Sequence, residues 1–276
     1  MSPTQFLTRP GGQRLAYDVA GADDAPLVLC TPGLGDTRKV YRFLAPQLVA
    51  AGYRVATMDL RGEGESSAGW ADYRSVTSGS DLVAMVRHLG GPAVLLSNSY
   101  SAAASVVAAA DAPDLVTALA MTGPWVRSPV PPAGIKGVFM AAATALVGRF
   151  AFAWTSYYRS LYTGSKPADL AAYTKELGAS LRQPGHLAAL RGMLAGGHND
   201  CAVRLPDVRS PALIVMGTAD PDFPDPAAEG EAIVAALRPG LGTLRIVEGA
   251  GHYIHAERPD QLAVLVTSFV AEHVNA

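Results

Sequence analysis

Short apolar runs with the length of β-strands alternate along the chain with longer segments of helical spacing. The runs PLVLCT (residues 26–31), RVATMD (residues 54–59) and AVLL (residues 93–96) are apolar and are bounded by glycine, proline or polar loops. Strands that alternate with helices in this way are typical of parallel βαβ units. The pattern therefore predicts an α/β fold, with a mostly parallel central sheet flanked by helices.

The same alternation extends from the N terminus to the C terminus with one interruption. Residues 5–8 and 14–21 flank Pro10-Gly11-Gly12, which predicts an opening antiparallel hairpin. The further predicted strands are residues 115–121, 212–217 and 243–248, and the predicted helices are residues 38–51, 80–89, the alanine-rich segment after AVLL, 227–237 and 259–274. One sheet domain accounts for all of these elements.

The alternation stops between about Trp125 and Arg204, where the sequence is helical in character and crowded with aromatic residues. Prolines and glycines break this stretch into short pieces. We therefore predict a core domain, residues 1–125 and 205–276, and a helical cap between its two parts, residues 126–204, which we call the cap insertion. A chain of 276 residues is long enough to bury one sizeable core of this kind.

The charge and the cysteine content exclude several classes of function. A net charge of −2 and singly scattered arginines leave no basic stripe, which argues against nucleic acid as a partner. Hydrophobic residues make up 49% of the chain and charged residues 17%, as in an ordinary globular protein. Cys30 and Cys201 are the only cysteines and lack metal-type spacing, so neither a disulfide nor a zinc site is expected.

One nearly apolar segment, GVFMAAATALVGRFAFAW (residues 137–154), raises the question of a membrane span. Arg149 interrupts it, and it falls short of the roughly 20 residues that cross a bilayer. We therefore expect a buried or ligand-facing helix and no stable membrane insertion. Residues 1–12 lack the features of a secretory signal, which predicts a cytoplasmic location.

Three serines at alternate positions follow the strand AVLL in the stretch VLLSNSYSAAA (residues 94–104). A nucleophile raised above the carboxyl edge of a parallel sheet needs a tight strand-to-helix turn, with small residues two before and two after it. Ser97 fails this requirement because Leu95 occupies the first of these positions. Ser99 has Ser97 and Ser101 there. Ser101 also passes, but only if the strand continued through the polar residues before it, which are weak strand formers. Ser99 is therefore the predicted nucleophile.

The stretch SNSYS resembles the nucleophile elbow, G-x-S-x-G, of the α/β-hydrolase superfamily, with serine in place of both glycines. Four further loops resemble motifs of that superfamily: the oxyanion loop PGLGD (residues 32–36), the D-x-R-G-x-G-x-S loop MDLRGEGESS (residues 58–67), the carboxylate loop GTAD (residues 217–220) and the histidine loop GAGHYIHAERP (residues 249–259). Together these motifs cover nearly the whole chain outside the cap insertion. The chain is similar to serine esterases and lipases with a helical cap.

The resemblance implies a catalytic triad and an oxyanion hole. By their positions in the motifs, Ser99 is the nucleophile, His252 is the general base and Asp220 is the carboxylate that orients the imidazole. The backbone N–H groups of Leu34 and Tyr100 would bind the oxyanion. No cofactor and no metal ion is expected for this chemistry.

Two residues near the triad positions are alternatives for the same roles, and a third residue departs from the usual motif. Asp222 is the alternative carboxylate, although the spacing of the motif favours Asp220. His255 could replace His252, but we expect it to be a surface or packing residue. Glu63 stands where many members of the superfamily have histidine, and we expect its side chain to be solvated.

Two departures from the motifs leave the substrate class open. Pro32 stands where the oxyanion loop usually has histidine, and proline has no N–H group to help organise that turn. Serine at both glycine positions of the elbow adds bulk beside the turn. The fold prediction does not depend on either position.

The aromatic, weakly charged cap insertion is expected to close over the site and to line an apolar pocket, as helical caps of this superfamily do. Phe139, Trp154 and Tyr158 are the candidate pocket residues. The predicted reaction is hydrolysis of a carboxylic ester, or a related acyl bond, of a small hydrophobic substrate through an acyl-enzyme.

Other reactions remain open on the same residues. At the single position of Asn98, the elbow resembles the G-N-S-x-G elbow of hydrolases that act on ring-cleavage products, which implies carbon–carbon bond hydrolysis as an alternative. Another acyl acceptor would give an acyltransferase or a cofactor-free perhydrolase. The aspartate nucleophile of epoxide hydrolases and haloalkane dehalogenases is excluded if Ser99 occupies the elbow.

Two alternatives belong to other classes. A binding protein could retain the fold without turnover. A dinucleotide site at Gly33-Leu34-Gly35 is disfavoured, because the third glycine of its motif would fall on Arg38. The oligomeric state is left open.

Overall fold

Eight β-strands form one sheet in the computed structural model, which describes residues 4–127, 144–196 and 199–274. The strands are β1 (Gln5–Thr8), β2 (Arg14–Ala20), β3 (Leu27–Thr31), β4 (Arg54–Met58), β5 (Ala93–Asn98), β6 (Val116–Thr122), β7 (Ala212–Gly217) and β8 (Gly242–Val247). Their order across the sheet is β1-β2-β4-β3-β5-β6-β7-β8. β2 pairs antiparallel with β1 and β4, and the other neighbours are parallel.

Helices cover both faces of the sheet. They are α1 (Ala45–Ala50), α2 (Ser75–His88), α3 (Tyr100–Asp111), α4 (Ala151–Ser160), α5 (Leu170–Leu181), α6 (His186–Ala195), α7 (Asn199–Ala202), α8 (Pro226–Ala236), α9 (Ile254–Glu257) and α10 (Pro259–His273). Val28 and Cys30 of β3 belong to the core under α1 and α10, whereas Leu27 and Leu29 belong to the core under α2, α3 and α8. Both faces of this strand are buried, which explains its continuous apolar run. The predicted fold class is confirmed.

β5 extends two residues further than the sequence indicates. Ser97 and Asn98 belong to the strand and pair with the last residues of β6. Their weak strand propensity is overcome by this pairing and by the Asn98 side-chain amide, which donates to the Thr122 carbonyl oxygen at 3.0 Å. The expectation that the strand ends at Leu96 is therefore wrong. Ser99 follows the last strand residue directly.

The predicted helix over residues 38–51 is split into two pieces. A 3-10 turn covers Arg38–Arg42, and α1 begins at Ala45 with Pro46 in its first turn, where the missing N–H group is tolerated. The Arg38 N–H donates to Asp59 Oδ1 at 2.6 Å. The loop after β4 therefore fixes where this segment begins.

The cap insertion separates β6 and β7 in sequence, although these strands are neighbours in the sheet. The described residues between them are helical or irregular: residues 144–149 are helical, and α4 to α7 follow. α4 and α5 pack against each other. The helical character agrees with the sequence pattern, and the domain boundaries at residues 125 and 205 remain a prediction.

Within the described ranges, no helix is both long enough and apolar enough to span a membrane. Of the apolar segment 137–154, residues 137–143 lie outside these ranges. The rest is mostly helical, with Trp154 buried and Phe152 65% exposed.

Candidate active site

Ser99 lies on a sharp turn between β5 and α3, with φ of 53° and ψ of −120°. It is the only non-glycine residue of the described ranges with a positive φ. Such a backbone costs about 1 to 3 kcal/mol and persists only where its surroundings hold it. The Ser99 N–H donates to Thr122 O at 3.0 Å, and the Trp125 N–H donates to Ser99 O at 3.1 Å. β6 and the loop after it therefore fix the turn that the sequence predicts as an elbow.

Ser97 and Ser101, which lie two residues before and two residues after Ser99, are completely buried. Ser101 Oγ donates to Thr31 O at 2.8 Å and accepts from the Asn98 N–H at 3.1 Å, so its hydroxyl joins the ends of β3 and β5. Ser97 Oγ has no hydrogen-bond partner among the described residues. Serine at the second glycine position of the elbow thus has a structural role.

Asn98 links the elbow strand to the histidine loop. Its side-chain amide donates to Thr122 O at 3.0 Å and to His252 O at 3.2 Å. The side chain is completely buried. These bonds give Asn98 a structural explanation that is independent of the resemblance to carbon–carbon bond hydrolases.

Asp220 and His252 lie in the loops after β7 and β8, and both side chains are buried. His252 Nδ1 is 2.8 Å from Asp220 Oδ2. Because a carboxylate only accepts, Nδ1–H is the donor, and Nε2 is left as the basic atom of the neutral ring. The His252 N–H donates to Leu161 O at 3.1 Å, where the cap insertion meets this loop.

Asp222 faces the opposite side of the imidazole. Its Oδ2 is 3.7 Å from His252 Nε2, an ion-pair distance, and its Oδ1 accepts from the Tyr157 hydroxyl at 2.5 Å. In the described part of the chain, no hydrogen bond joins Ser99 Oγ to His252. The structure therefore brings the elbow and the Asp220–His252 pair to one edge of the sheet, with Asp222 next to Nε2.

The two aspartates make His252 a stronger base. Burial disfavours the imidazolium, but the charges of Asp220 and Asp222 outweigh burial and raise the pKa of His252 to about 9. His255 is the opposite case, because burial lowers its pKa to about 3. Its ring packs on Tyr41, with the ring centroids 4.8 Å apart. His255 is thus a neutral, buried packing residue.

The oxyanion loop after β3 lies against the elbow. A Cβ atom on Gly33 would come within 3.2 Å of Ser99 Cβ, so a side chain there would press on the elbow. Gly35 has a φ of +66° and lies against the Trp154 indole, whose Nε1–H donates to Gly35 O at 2.8 Å. Leu34, between these two glycines, is therefore held beside the elbow, and Tyr100 directly follows Ser99 as the first residue of α3.

Glu63 is only 2% exposed, so the expectation of a solvated side chain is wrong. Its Oε1 accepts from the Gly35 N–H, and its Oε2 has no hydrogen-bond partner among the described residues. Burial raises the pKa of Glu63 well above its usual range, and the carboxyl groups of Asp36 and Asp59 raise it further. Glu63 is therefore a buried support of the oxyanion loop, in surroundings that favour the protonated form of its carboxyl group.

Asp36 is a buried acid that the sequence analysis missed. Its Oδ1 accepts from the Thr37 N–H at 2.7 Å and from the Tyr173 hydroxyl, and its Oδ2 accepts from the Tyr158 hydroxyl at 3.0 Å. Burial raises the pKa of Asp36 to about 7. Both tyrosines come from the cap insertion, so the residues around Asp36 in the sequence carry no signal of this environment.

The candidate pocket residues divide into two groups. Phe139 lies outside the described residues. Trp154 and Tyr158 are 3% and 0% exposed, and their polar atoms bind Gly35 and Asp36. These two side chains dock the cap insertion onto the oxyanion loop, and their part in lining a pocket stays a prediction.

Asp220, Asp222 and His252 also form the one group of histidine, cysteine and acidic side chains in the described ranges whose ligand atoms converge, all within 4.8 Å of one another. Asp220 already accepts the Nδ1–H of His252. The group is therefore the same acid–base cluster described above.

Proteins that resemble this chain have names that describe different reactions. The chain is 27% identical to 2-(acetamidomethylene)succinate hydrolase of Mesorhizobium japonicum, over 93% of this chain and 92% of that protein. It is 25% identical to epoxide hydrolase A of Mycobacterium tuberculosis, over 98% of each. The crystal structure of a membrane phospholipase A, described as a bacterial virulence factor, matches with a TM-score of 0.84 and 21% identity over 99% of this chain and 87% of that chain.

A family model matches most of the chain. It covers residues 27–265, from the start of β3 into α10, and this range contains Ser99, Asp220 and His252. The named relatives act on different bonds, so the likeness identifies the family and leaves the substrate open. The chain belongs to the alpha/beta hydrolase family.

Proposed function

We propose that this protein is a serine hydrolase that cleaves carboxylic esters of small hydrophobic acids through an acyl-enzyme. The observation that carries the proposal is the strained backbone of Ser99, with φ of 53° and ψ of −120°, at the strand-to-helix turn. A hydroxyl raised in this way beside a hydrogen-bonded Asp–His pair is the arrangement that nucleophilic acyl transfer needs. The Asp220–His252 distance of 2.8 Å supports the second half of that arrangement.

The first half of the proposed reaction forms the acyl-enzyme. Ser99 Oγ attacks the ester carbonyl carbon while His252 Nε2 takes the hydroxyl proton, and Asp220 stabilises the imidazolium that results. The carbonyl oxygen becomes an oxyanion, which accepts from the backbone N–H groups of Leu34 and Tyr100. The bond to the leaving alcohol then breaks, and the alcohol oxygen takes the proton from Nε2.

The second half regenerates the enzyme. A water molecule attacks the acyl carbon and gives a proton to His252 Nε2, and the oxyanion is bound by the same two N–H groups. The bond from the acyl carbon to Ser99 Oγ breaks, and Ser99 regains its proton from the imidazolium. A carboxylic acid leaves, and the protein is unchanged.

The residue at the elbow supports an ester in preference to an epoxide. One relative is named as an epoxide hydrolase, yet the elbow of this chain carries a serine. A serine attached to an acyl group is itself an ester, which water can cleave at the carbonyl carbon. Trp154 of the cap insertion lies against Gly35 of the oxyanion loop, two residues after the Gly33 that lies against Ser99, and this aromatic side chain supports an apolar substrate.

Covalent capture combined with turnover tests the proposal. A fluorophosphonate probe is expected to label the wild-type protein at Ser99, and short p-nitrophenyl esters are expected to be hydrolysed. Ser99→Ala is expected to lose labelling and to lose turnover by roughly 10⁴-fold or more, with its free energy of unfolding changed by less than about 1 kcal/mol. A panel of thioesters, amides and vinylogous diketones run in parallel separates ester hydrolysis from the alternative reactions.

Ser105→Ala is the matched control, because Ser105 lies on α3, is completely buried and has no hydrogen-bond partner for its hydroxyl among the described residues. It is expected to keep full labelling and turnover. Activity that survives in Ser99→Ala would assign the nucleophile to another residue. A wild-type protein that neither labels nor turns over any member of the panel would instead be a binding protein.

A further inference from the structure

In the proposed reaction, His252 Nε2 accepts a proton and later returns it. A carboxylate other than that of Asp220 lies beside this atom. Asp222 Oδ2 is 3.7 Å from Nε2, on the side of the ring opposite to the bond between Nδ1 and Asp220. A substrate carbonyl must come within reach of both Nε2 and Ser99 Oγ. Asp222 therefore borders the space that the substrate has to enter.

The position of this carboxylate is fixed by the cap insertion. The Tyr157 hydroxyl donates to Asp222 Oδ1 at 2.5 Å. The Tyr157 ring packs against Trp154, with the ring centroids 5.6 Å apart, and Trp154 is bonded to the oxyanion loop at Gly35 O. Asp222 is thus tied to the opposite side of the site through two aromatic residues, and it is not a freely moving surface acid.

The charges around His252 leave Asp222 without a cation other than the imidazolium. Three acidic groups act on the ring: Asp220 and Asp222 from the loop after β7, and Glu257 from α9. The other titratable groups that face it, His255 and Tyr253, are neutral. Tyr157 of α4 contacts this cluster through its hydrogen bond to Asp222. No lysine or arginine of the described ranges pairs with Asp222. Its side chain is 28% exposed, which keeps the carboxylate hydrated.

The charges beside His252 are all negative when the enzyme is ready to react. His252 must be neutral to accept the proton of Ser99, and Asp220 and Asp222 then carry negative charge with no positive charge between them. A second negative charge on the acyl group would meet Asp222 at close range. Like charges that are close together are a common means by which a site rejects one ligand and accepts another.

We propose that Asp222 is a specificity-determining residue, which disfavours substrates that carry a negative charge near the scissile carbonyl and favours neutral or cationic acyl groups. The inference rests on the proposed function, since it concerns the substrates of that same site. Asp222→Asn is the decisive variant, because asparagine keeps the shape of the side chain and an oxygen that can accept from Tyr157, and it removes only the charge.

Two esters of matched length test the selectivity. One is p-nitrophenyl 4-oxopentanoate, which is neutral, and the other is the mono-p-nitrophenyl ester of succinic acid, which places a carboxylate where the first has a methyl ketone. In Asp222→Asn, the ratio of kcat/KM for the neutral ester to that for the anionic ester is expected to fall about tenfold relative to wild type. The change is expected to shrink at high salt, since part of the site is open to solvent.

Asp225→Asn is the matched control. It removes the same charge three residues along the same loop, and it preserves the N-cap of α8, where Asp225 Oδ1 accepts from the Ala228 N–H at 3.0 Å. Its selectivity ratio is expected to equal that of wild type. A ratio that falls equally in both variants would show a general effect of net charge and would overturn the proposal.

A titration of His252 gives a second readout that does not depend on turnover. The Cε1 chemical shift of His252, assigned by its absence in His252→Ala, reports the pKa of the ring. That pKa is expected to be lower in Asp222→Asn than in wild type and unchanged in Asp225→Asn, and the rise of kcat/KM with pH is expected to move to lower pH with it.

The outcomes separate this inference from the proposed function. Wild-type protein that labels at Ser99 and hydrolyses both esters, with the same ratio and the same His252 titration in Asp222→Asn, would overturn the role of Asp222 and leave the serine hydrolase standing. Wild-type protein that hydrolyses neither ester and does not label would overturn both. A lower ratio together with a lower pKa supports the role of Asp222.

Discussion

Two pairs of carboxyl groups flank Ser99, and the protein holds them in opposite ways. Asp36 and Glu63 lie on the side of the oxyanion loop, where their hydrogen-bond donors are tyrosine hydroxyls and backbone N–H groups. Asp220 and Asp222 lie on the side of the imidazole, which can take a positive charge. No lysine or arginine of the described ranges forms an ion pair with any of the four.

The protonation states follow from these partners. On the oxyanion side, burial raises the pKa of Asp36 to about 7 and that of Glu63 well above its usual range, so both acids tend to hold their protons. On the imidazole side, the charges of Asp220 and Asp222 overcome burial and raise the pKa of His252 to about 9. A buried acid keeps its charge beside a group that can become a cation, and it binds a proton beside neutral donors. In the proposed reaction, the oxyanion therefore forms next to Asp36 and Glu63, the pair of carboxyl groups that carries less negative charge.

The largest expected effect lies on the imidazole side. Asp220→Asn is expected to lower kcat roughly 10⁴-fold, because asparagine does not hold the Nδ1–H tautomer or stabilise the imidazolium. Asp222→Asn, with the same change of atoms two residues away, is expected to keep most of its turnover of neutral esters. The kcat values of the two variants with p-nitrophenyl 4-oxopentanoate check the difference. Equal losses in both would make Asp222 a second essential carboxylate and would end the distinction within this pair.

The imidazole side could be predicted from sequence more fully than the oxyanion side. The loops that contain Asp220 and His252 are short motifs that directly follow predicted strands, so their local patterns give the position of both residues. The steric requirement of the elbow involves only five consecutive residues, and it excludes Ser97. The choice of Ser99 over Ser101 also depends on strand propensity, which underestimates the length of β5. Such local rules depend little on the rest of the chain.

The surroundings of Asp36 and Glu63 could not be predicted, because distant segments create them. Tyr158 and Tyr173, which donate to Asp36, lie more than 100 residues further along the chain, in the cap insertion. The loop that contains Glu63 is short and acidic, and its own residues are typical of a solvated surface; the donor to Glu63 is the Gly35 N–H, from another loop. The extension of β5 through Ser97 and Asn98 was missed for a related reason, since propensity does not include the partners that a strand finds in the sheet.

The next effect concerns Asp36 and the pH dependence of stability. Its pKa is about 7 in the folded protein and 3.8 as an ordinary aspartate, so between these values the folded state holds a proton that the unfolded state has released. Stability therefore falls as the pH rises through this window, by on the order of 4 kcal/mol for this one group. Asp36→Asn mimics the protonated acid and is expected to lose this part of the fall. Denaturant unfolding of both proteins at about pH 4, 6 and 8 measures it.

The quantity to compare is the free energy of unfolding of Asp36→Asn minus that of wild type at each pH, which cancels the titration of other groups. This difference is expected to rise with pH across the window. A difference that stays constant with pH would mean that Asp36 titrates in the folded protein as it does in the unfolded chain, and it would contradict the prediction.

The smallest expected effect tests the charge of Asp36 through a single hydroxyl group. Tyr158→Phe removes the hydrogen bond to Asp36 Oδ2, which is 3.0 Å long. A hydrogen bond to a charged group is worth more than one to a neutral group, so the loss in the free energy of unfolding is expected to be about 1 kcal/mol at about pH 5 and about 2 kcal/mol at about pH 8.5, where Asp36 is ionised. Tyr162→Phe is the control, since the Tyr162 hydroxyl bonds to that of Tyr158 at 3.1 Å and its loss is expected to depend little on pH. Equal losses at both pH values in Tyr158→Phe would show that the charge of Asp36 does not change between them, and the contrast between the two sides of Ser99 would then rest on His252 alone.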